Sequence, residues 1–293
     1  MGLQIRRLSY CLGAEIIGLD IPAIDERTFR EVHAAFLEHA ILLLRDQALT
    51  REQHIAFSRR FGELDRNEDS NPLLRIPEYP EILLVSNKPK PGVESNPCKQ
   101  GDGWHSDRSF SLVPAMASLL RSVEIPDLGG DTLFCNLYLA YESLSDGMKK
   151  LIDGLHGVHF GGKARVDTST PERAAESKRK TPPVAQSSVR THPETGRKSL
   201  YLGNKIQQLV GLNAEESKPL ITFLCEHATR PQFVYRHRWR KDDLVIWDNR
   251  CTNHIALGDY DKSKLRHMER TTVNGTPSGY VYDGPLHYDG PRL

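Results

Sequence analysis

The sequence predicts a mainly β fold with flanking helices. Short segments rich in branched apolar residues recur along the chain, separated by turns of Gly, Pro, Asn or Asp. A few longer stretches carry apolar residues at helical spacing instead. No regular strand–helix–strand rhythm links them, so the helices are expected to wrap a β-sandwich or barrel.

The elements follow in order. Glu26 to His39 places Phe29, Val32, Phe36 and Leu37 at helical intervals. The apolar run Ile41 to Leu44 reads as a buried strand, closed by Arg45-Asp46-Gln47. A second helix starts at Thr50, where Thr50 and Gln53 have the spacing of a capping box, and ends near Phe61 before Gly62. Strands are then expected over 82–86, 115–123, 132–136, 189–191, 199–202, 232–239, 243–247 and 270–273, with helices over 137–154 and 214–229. The stretch from Lys163 to Gln186 is rich in Lys, Arg, Glu, Ser, Thr and Pro, and reads as a mobile surface insertion. No internal repeat stands out, so residues 1–293 are read as a single domain.

Composition narrows the function. Lys and Arg (39) nearly cancel Asp and Glu (38), so no net field would steer the chain to nucleic acid or an anionic membrane. An anionic partner must be met by local charge. The five cysteines (Cys11, Cys98, Cys135, Cys225, Cys251) form no CxxC pair, which argues against a disulfide framework or a zinc ribbon. No apolar h-region opens the chain, Arg6 stands where a myristoylation signal wants Ser or Thr, and no apolar run reaches the ~18 residues of a membrane span. A cytoplasmic protein is expected.

The segment Gly103-Trp104-His105-Ser106-Asp107 carries an H-x-D pair. On a strand, residues two apart share a face, so the imidazole of His105 and the carboxylate of Asp107 would converge. Far along the chain, His254 in Thr252-Asn253-His254-Ile255-Ala256 offers a second imidazole from a strand returning beside the first. Two imidazoles and one carboxylate on one face leave three octahedral positions open, the arrangement that suits non-heme Fe(II). Zinc would favour a tetrahedral site with one water. Among 12 histidines, a lone H-x-D is weak, because a histidine beside a tryptophan is ordinarily a packed residue. His227 and His237, flanking apolar positions, read as structural.

Behind His254 come Arg266 and Arg270, an even separation that keeps both guanidinium groups on one strand face. Arginine presents a planar fork that matches a carboxylate bidentately. A keto diacid such as 2-oxoglutarate, chelating iron at one end, needs such a fork at the other. Gly129-Gly130-Asp131-Thr132 places the Thr132 hydroxyl at the start of a strand, where it can bond the same carboxylate.

Together, Phe57 to Leu64, Trp104 to Phe110, Gly129 to Phe134, Thr191 to Tyr201, Trp247 to Ala256 and Arg266 to Gly275 resemble the taurine dioxygenase / 2,4-dichlorophenoxyacetate dioxygenase family. Glu226 to Trp239 makes the resemblance nearer to the phenoxyalkanoate branch. The resemblance implies a double-stranded β-helix (jelly roll, cupin-like) core and a requirement for Fe(II), 2-oxoglutarate and O2. It implies His105, Asp107 and His254 as iron ligands, and Thr132 and Arg266 as holders of 2-oxoglutarate. Arg270 and Asn67 would then bind a small anionic substrate, while Trp247 and Asn249 pack and position. The region after Leu64 reads Asp65-Arg66-Asn67-Glu68-Asp69-Ser70, without the histidine that helps the taurine enzyme hold sulfonate, which argues against taurine. The presence of Asp107 argues against a halogenase.

The expected reaction is hydroxylation of a C–H, with collapse and bond cleavage where that carbon bears O, N or S. A homo-oligomer, dimer or tetramer, is expected. Two other readings use the same residues: a zinc-dependent hydrolase, and a non-catalytic cupin-like binding protein.

Overall fold

The run Ile41–Leu44 has no solvent face at all. Leu42 and Leu44 point into one core and Ile41 and Leu43 into another, as strand alternation requires. The computed structural model that shows this describes residues 3–68, 70–88, 103–161 and 182–286.

The chain opens with β1 (Gln4–Arg7) and β2 (Ala14–Ile17), then α1 (Glu26–His39), β3 (Ile41–Leu44) and α2 (Arg51–Arg59). Next come β4 (Arg75–Ile76), β5 (Tyr79–Ser86), β6 (Ala115–Glu124) and β7 (Thr132–Asn136), followed by α3 (Leu137–Glu142) and α4 (Asp146–Ile152). Five short strands precede the next helix: β8 (His156–His159), β9 (Val184–Ser187), β10 (Val189–Thr191), β11 (Lys198–Leu200) and β12 (Ile206–Leu209), then α5 (Ala214–Ala228). The chain closes with β13 (Val234–His237), β14 (Leu244–Asp248), β15 (Thr252–Ala256), β16 (His267–Asn274) and β17 (Tyr280–Val281).

Eight strands form one sheet in the order β1-β2-β3-β14-β6-β16-β5-β4. The other sheets are β13-β7-β15, β12-β8-β9-β17 and the pair β10-β11. Most neighbours are antiparallel; β2 and β3 are parallel. One face of the eight-stranded sheet carries Leu42, Leu44, Ala117, Leu119, Leu244, Ile246 and Val273. There α1, α2 and the turn after α2 pack through the edge-to-face rings of Phe29, Phe36, Phe57 and Phe61. The opposite face carries Ile41, Leu43, Leu120, Val245, Trp247 and Met268 against Phe134 of β7. Each buried Leu, Ile, Val, Phe or Met among them contributes about 1.5–3 kcal/mol.

Local signals placed the helices well. Asp25 caps α1 by accepting from Thr28 N–H at 2.7 Å, and Thr50 and Gln53 form the expected capping box on α2. The helix expected over 137–154 is two helices. Ser143 and Leu144 lie outside them, and Ser145 caps α4 by accepting from Met148 N–H. The strand expected over 232–239 shortens to β13, because Pro231–Phe233 form a 3-10 turn first. Val184, Ala185 and Gln186, expected in a mobile insertion, are buried in β9, where the chain pairs with β8. The rest of that insertion, 163–181, lies outside the described residues.

Between α2 and β16 lies His54, wholly buried, with the Thr271 hydroxyl 3.3 Å from its Nε2 and the Leu119 backbone beside it. Burial, helped by the nearby Arg121 charge, pushes its pKa down to about 4. Unfolded, His54 takes up a proton near pH 6.5, so between pH 6.5 and about 4 the unfolded chain binds more protons and stability falls as pH falls. His54→Gln should therefore lose less stability on acidification than the wild type. The difference is about 2 kcal/mol between pH 7 and pH 5 by urea unfolding, and equal losses would contradict it.

Candidate metal centre

Two histidines far apart in sequence meet backbone to backbone. His105 N–H donates to the His254 carbonyl at 3.1 Å and His254 N–H to the His105 carbonyl at 2.9 Å. This single bridge replaces the regular strand expected for the H-x-D pair: Asp107 already belongs to a turn, followed by Arg108 at φ +52°. Arg108 is held there by an ion pair to Asp65. A Cβ on Gly203 would lie 2.7 Å from the Trp104 carbonyl and 3.2 Å from His105 Cα, so only glycine lets the 201–204 segment pass the bridge.

The ligand atoms of His105, Asp107 and His254 all lie within 4.8 Å of one another. His105 Nε2 is 3.9 Å from Asp107 Oδ1, and His254 Nε2 is 4.0 Å from Oδ2. His105 Nδ1 is 2.9 Å from the Gly103 carbonyl, which places the ring proton there and leaves the Nε2 lone pair toward the carboxylate. The His254 ring is walled by Trp247 at 4.8 Å and Phe134 at 6.0 Å between centroids.

Burial, reinforced by the facing His105, pushes His254 down to about 3. Burial likewise lowers His105, against the pull of Asp107, and the charges of Lys205 and Arg270 add to it. Burial alone would raise the Asp107 carboxyl. Arg270, the two imidazoles and a hydrogen bond from Ser118 outweigh it and hold the group far below the usual carboxylate range. Two neutral imidazoles beside an ionised carboxylate are the donor set a divalent cation needs. With two nitrogens and one oxygen on one face, they fit iron with positions left open.

Asp107 is positioned by residues from other strands. Its N–H donates to Asn249 Oδ1 at 3.0 Å, and its Oδ2 accepts from Ser118 Oγ at 2.7 Å. Its Oδ1 accepts from Arg270 Nη1 at 2.6 Å. Arg270 faces inward because its β6 partner is Leu120, on the face that packs against Phe134.

In β7, Phe134 lies directly opposite His254, so Thr132, two residues earlier, is on the same face. The Thr132 hydroxyl accepts from Trp239 Nε1 at 3.0 Å. Arg266, also buried, donates from Nε to the Gly130 carbonyl at 2.9 Å. A side chain at Gly130 would meet Arg266 at 3.2 Å, so the glycine makes room for the guanidinium. His254, Thr132 and Arg270 thus lie on the facing surfaces of the three-stranded and eight-stranded sheets, with Arg266 held against the Gly130 carbonyl two residues from Thr132. Asn67 is engaged elsewhere: at φ +55° and 2% exposed, it donates from Nδ2 to the Pro80 carbonyl.

Sequence reasoning missed Ser118 and Lys205. A lone polar residue inside the apolar Ala115–Leu120 run was the only signal for Ser118; none marked Lys205.

Comparison with known proteins follows the same lines. The model of the "Taurine catabolism dioxygenase TauD, TfdA family" matches residues 4–272. The chain is 35% identical over 266 residues to the alpha-ketoglutarate-dependent 2,4-dichlorophenoxyacetate dioxygenase of Burkholderia sp. (strain RASC), covering 86% of this chain and 88% of that protein. It is 32% identical to the (S)-phenoxypropionate/alpha-ketoglutarate-dioxygenase of Sphingobium herbicidovorans, covering 94% and 96%. A crystal structure of AAD-2 in complex with Mn(II) and N-oxalylglycine superposes with a TM-score of 0.79 at 34% identity, covering 95% of this chain and 99% of that one.

Asp107→Ala removes the only carboxylate of the triad. An Mn(II) titration followed by electron paramagnetic resonance should lose the tight site, whereas Asp65→Ala, on the neighbouring ion pair, should keep it. Equal binding by Asp107→Ala would remove this residue from the centre.

Proposed function

The chain belongs to the taurine catabolism dioxygenase TauD, TfdA family, and from that premise we propose that His105, Asp107 and His254 hold its iron and that Thr132 and Arg266 hold its 2-oxoglutarate. It is a 2-oxoglutarate-dependent non-heme iron dioxygenase of the phenoxyalkanoate branch, requiring Fe(II), 2-oxoglutarate and O2. The observation that carries the residue assignment is the three-ligand cluster with Thr132 on the His254 face and Arg266 anchored two residues from Thr132.

Bound iron supplies the oxidising chemistry that couples decarboxylation of 2-oxoglutarate to succinate with hydroxylation of a substrate C–H. The protein's part is binding, orientation and exclusion of water. The bond from Arg266 Nε to Gly130 fixes the plane of the guanidinium, so its fork meets the distal carboxylate in one orientation. The Thr132 hydroxyl, already an acceptor from Trp239, is left to donate its proton to that carboxylate. The Trp247 and Phe134 rings keep water from His254. Arg270 and Lys205 put positive charge beside the ligands, which suits a substrate with a small anionic head.

That substrate is read as an ether carboxylate of the phenoxyalkanoate type, whose hydroxylation beside the ether oxygen gives a hemiacetal that collapses and cleaves the C–O bond. The core is read as a double-stranded β-helix: the Phe134–Trp247 layer between the eight-stranded and three-stranded sheets supports it. Residues 1–293 are read as one domain. No described helix is long and apolar enough to cross a membrane.

Succinate release with Fe(II) and ascorbate, screened over aryloxy carboxylates, sulfonates and sulfate esters, should peak with an aryloxy carboxylate; a sulfate ester as the best substrate would overturn the choice of class. Arg266→Ala should raise KM for 2-oxoglutarate by about 10- to 100-fold and Thr132→Val by about 3- to 10-fold. Neither changing would move the co-substrate elsewhere. Arg270→Ala should weaken substrate more than 2-oxoglutarate, and unchanged substrate affinity would remove Arg270 from that role.

A further inference from the structure

The donors and acceptors around Asp107 leave one consistent arrangement of protons. Asn249 Oδ1 accepts two N–H groups, from the Asp107 backbone at 3.0 Å and from Trp247 Nε1 at 3.1 Å. Its amide is therefore oriented with Nδ2 toward Ser118 Oγ, 3.0 Å away. Ser118 accepts that bond, so its single proton goes to Asp107 Oδ2. Ser118 and Asn249 are both fully buried, and a hydroxyl there that lost its acceptor would have no water to turn to. Oδ2 thus carries a permanent neutral donor. Each oxygen lies about 4 Å from one imidazole, Oδ1 3.9 Å from His105 Nε2 and Oδ2 4.0 Å from His254 Nε2, but the partner of Oδ1 is the cation Arg270.

We propose that Ser118 and Asn249 form a bracket that keeps Asp107 a one-oxygen metal ligand, and that its Oδ1 passes from Arg270 to the metal on loading. The inference rests on the metal reading of the triad. Its functional content is a count of positions. A carboxylate bound through both oxygens would fill a fourth octahedral position, leaving two for a bidentate keto acid and oxygen together. Bound through Oδ1 alone, it leaves three. The metal and Arg270 compete for the same oxygen, so metal uptake releases the guanidinium toward the substrate anion. Ser118 and Asn249 are positioning residues, acting through Asp107.

Mn(II) titration of the full chain, followed by electron paramagnetic resonance, tests both halves. Ser118→Ala and Asn249→Ala should bind Mn(II) roughly 10- to 100-fold more weakly than the wild type, the usual effect of losing an outer partner of a ligand. Ser118→Thr, which restores the hydroxyl, should recover most of the affinity. Ser58→Ala, which removes another fully buried, hydrogen-bonded serine on the helix side of the sheet, should leave it unchanged. Arg270→Gln should shift affinity the other way, several-fold tighter, because the competing cation is gone; a merely structural role for these residues predicts no such opposition of sign. Ser118→Ala and Asn249→Ala binding as tightly as the wild type, or Arg270→Gln binding more weakly, overturns this inference alone. A wild-type chain that takes up no Mn(II) overturns the metal reading and the inference with it.

Discussion

Burying an ionised carboxylate is costly, and Asp107 is 4% exposed. Much of the architecture can be understood as the set of partners that this one charge requires. His105 comes from a bridging loop, His254 from β15, Arg270 from β16, Ser118 from β6, and Asn249 from the turn after β14. No two of these five are neighbours in sequence. They meet only if the eight-stranded and three-stranded sheets are both in register, so the charge is stabilised by the fold as a whole.

The rest of the structure fixes that register. Strands β3 and β14 are buried on both faces, and a slip of one residue would send Trp247 and Val245 to the helix side, away from Phe134. At the end of β14, Asp248 accepts from the Arg250 side chain at 2.8 and 2.7 Å and lies 3.0 Å from His192 Nε2, which locks the turn that presents Asn249. On the far side of β16, Glu269 pairs with Arg51 of α2 and Arg121 of β6. Arg270 therefore projects from a strand clamped from behind. Of the triad only His254 lies in a regular strand; His105 is held by its bridge to β15, and Asp107 by Asn249, Ser118 and Arg270.

The parts legible in the sequence were those with local signatures. The Thr50–Gln53 capping box, the Ile41–Leu44 run and the His105-x-Asp107 pair could each be read from neighbouring residues, whereas His254 was joined to that pair by the family resemblance. What escaped depended on tertiary partners. His156–His159 and Val184–Ser187 lack apolar alternation, and they are strands because they pair with each other and with β12 and β17 on either side. The proline- and charge-rich texture before Val184 hid a buried strand. Ser118 looked like an interruption of an apolar segment until Asp107 arrived from another part of the chain. Asn67, expected from the resemblance among the substrate contacts, stands at positive φ and donates its side chain to the Pro80 carbonyl, a partner that the sequence does not reveal.

On this reading the buried triad binds iron and still leaves room for a chelating keto acid. The most direct test is the visible spectrum of the full chain with Fe(II) and 2-oxoglutarate under anaerobic conditions. A weak charge-transfer band should appear when both are present, be absent with Zn(II), and be lost in His254→Ala. No band from a folded wild-type chain that instead retains Zn(II) tightly would mean that the triad is not an iron site.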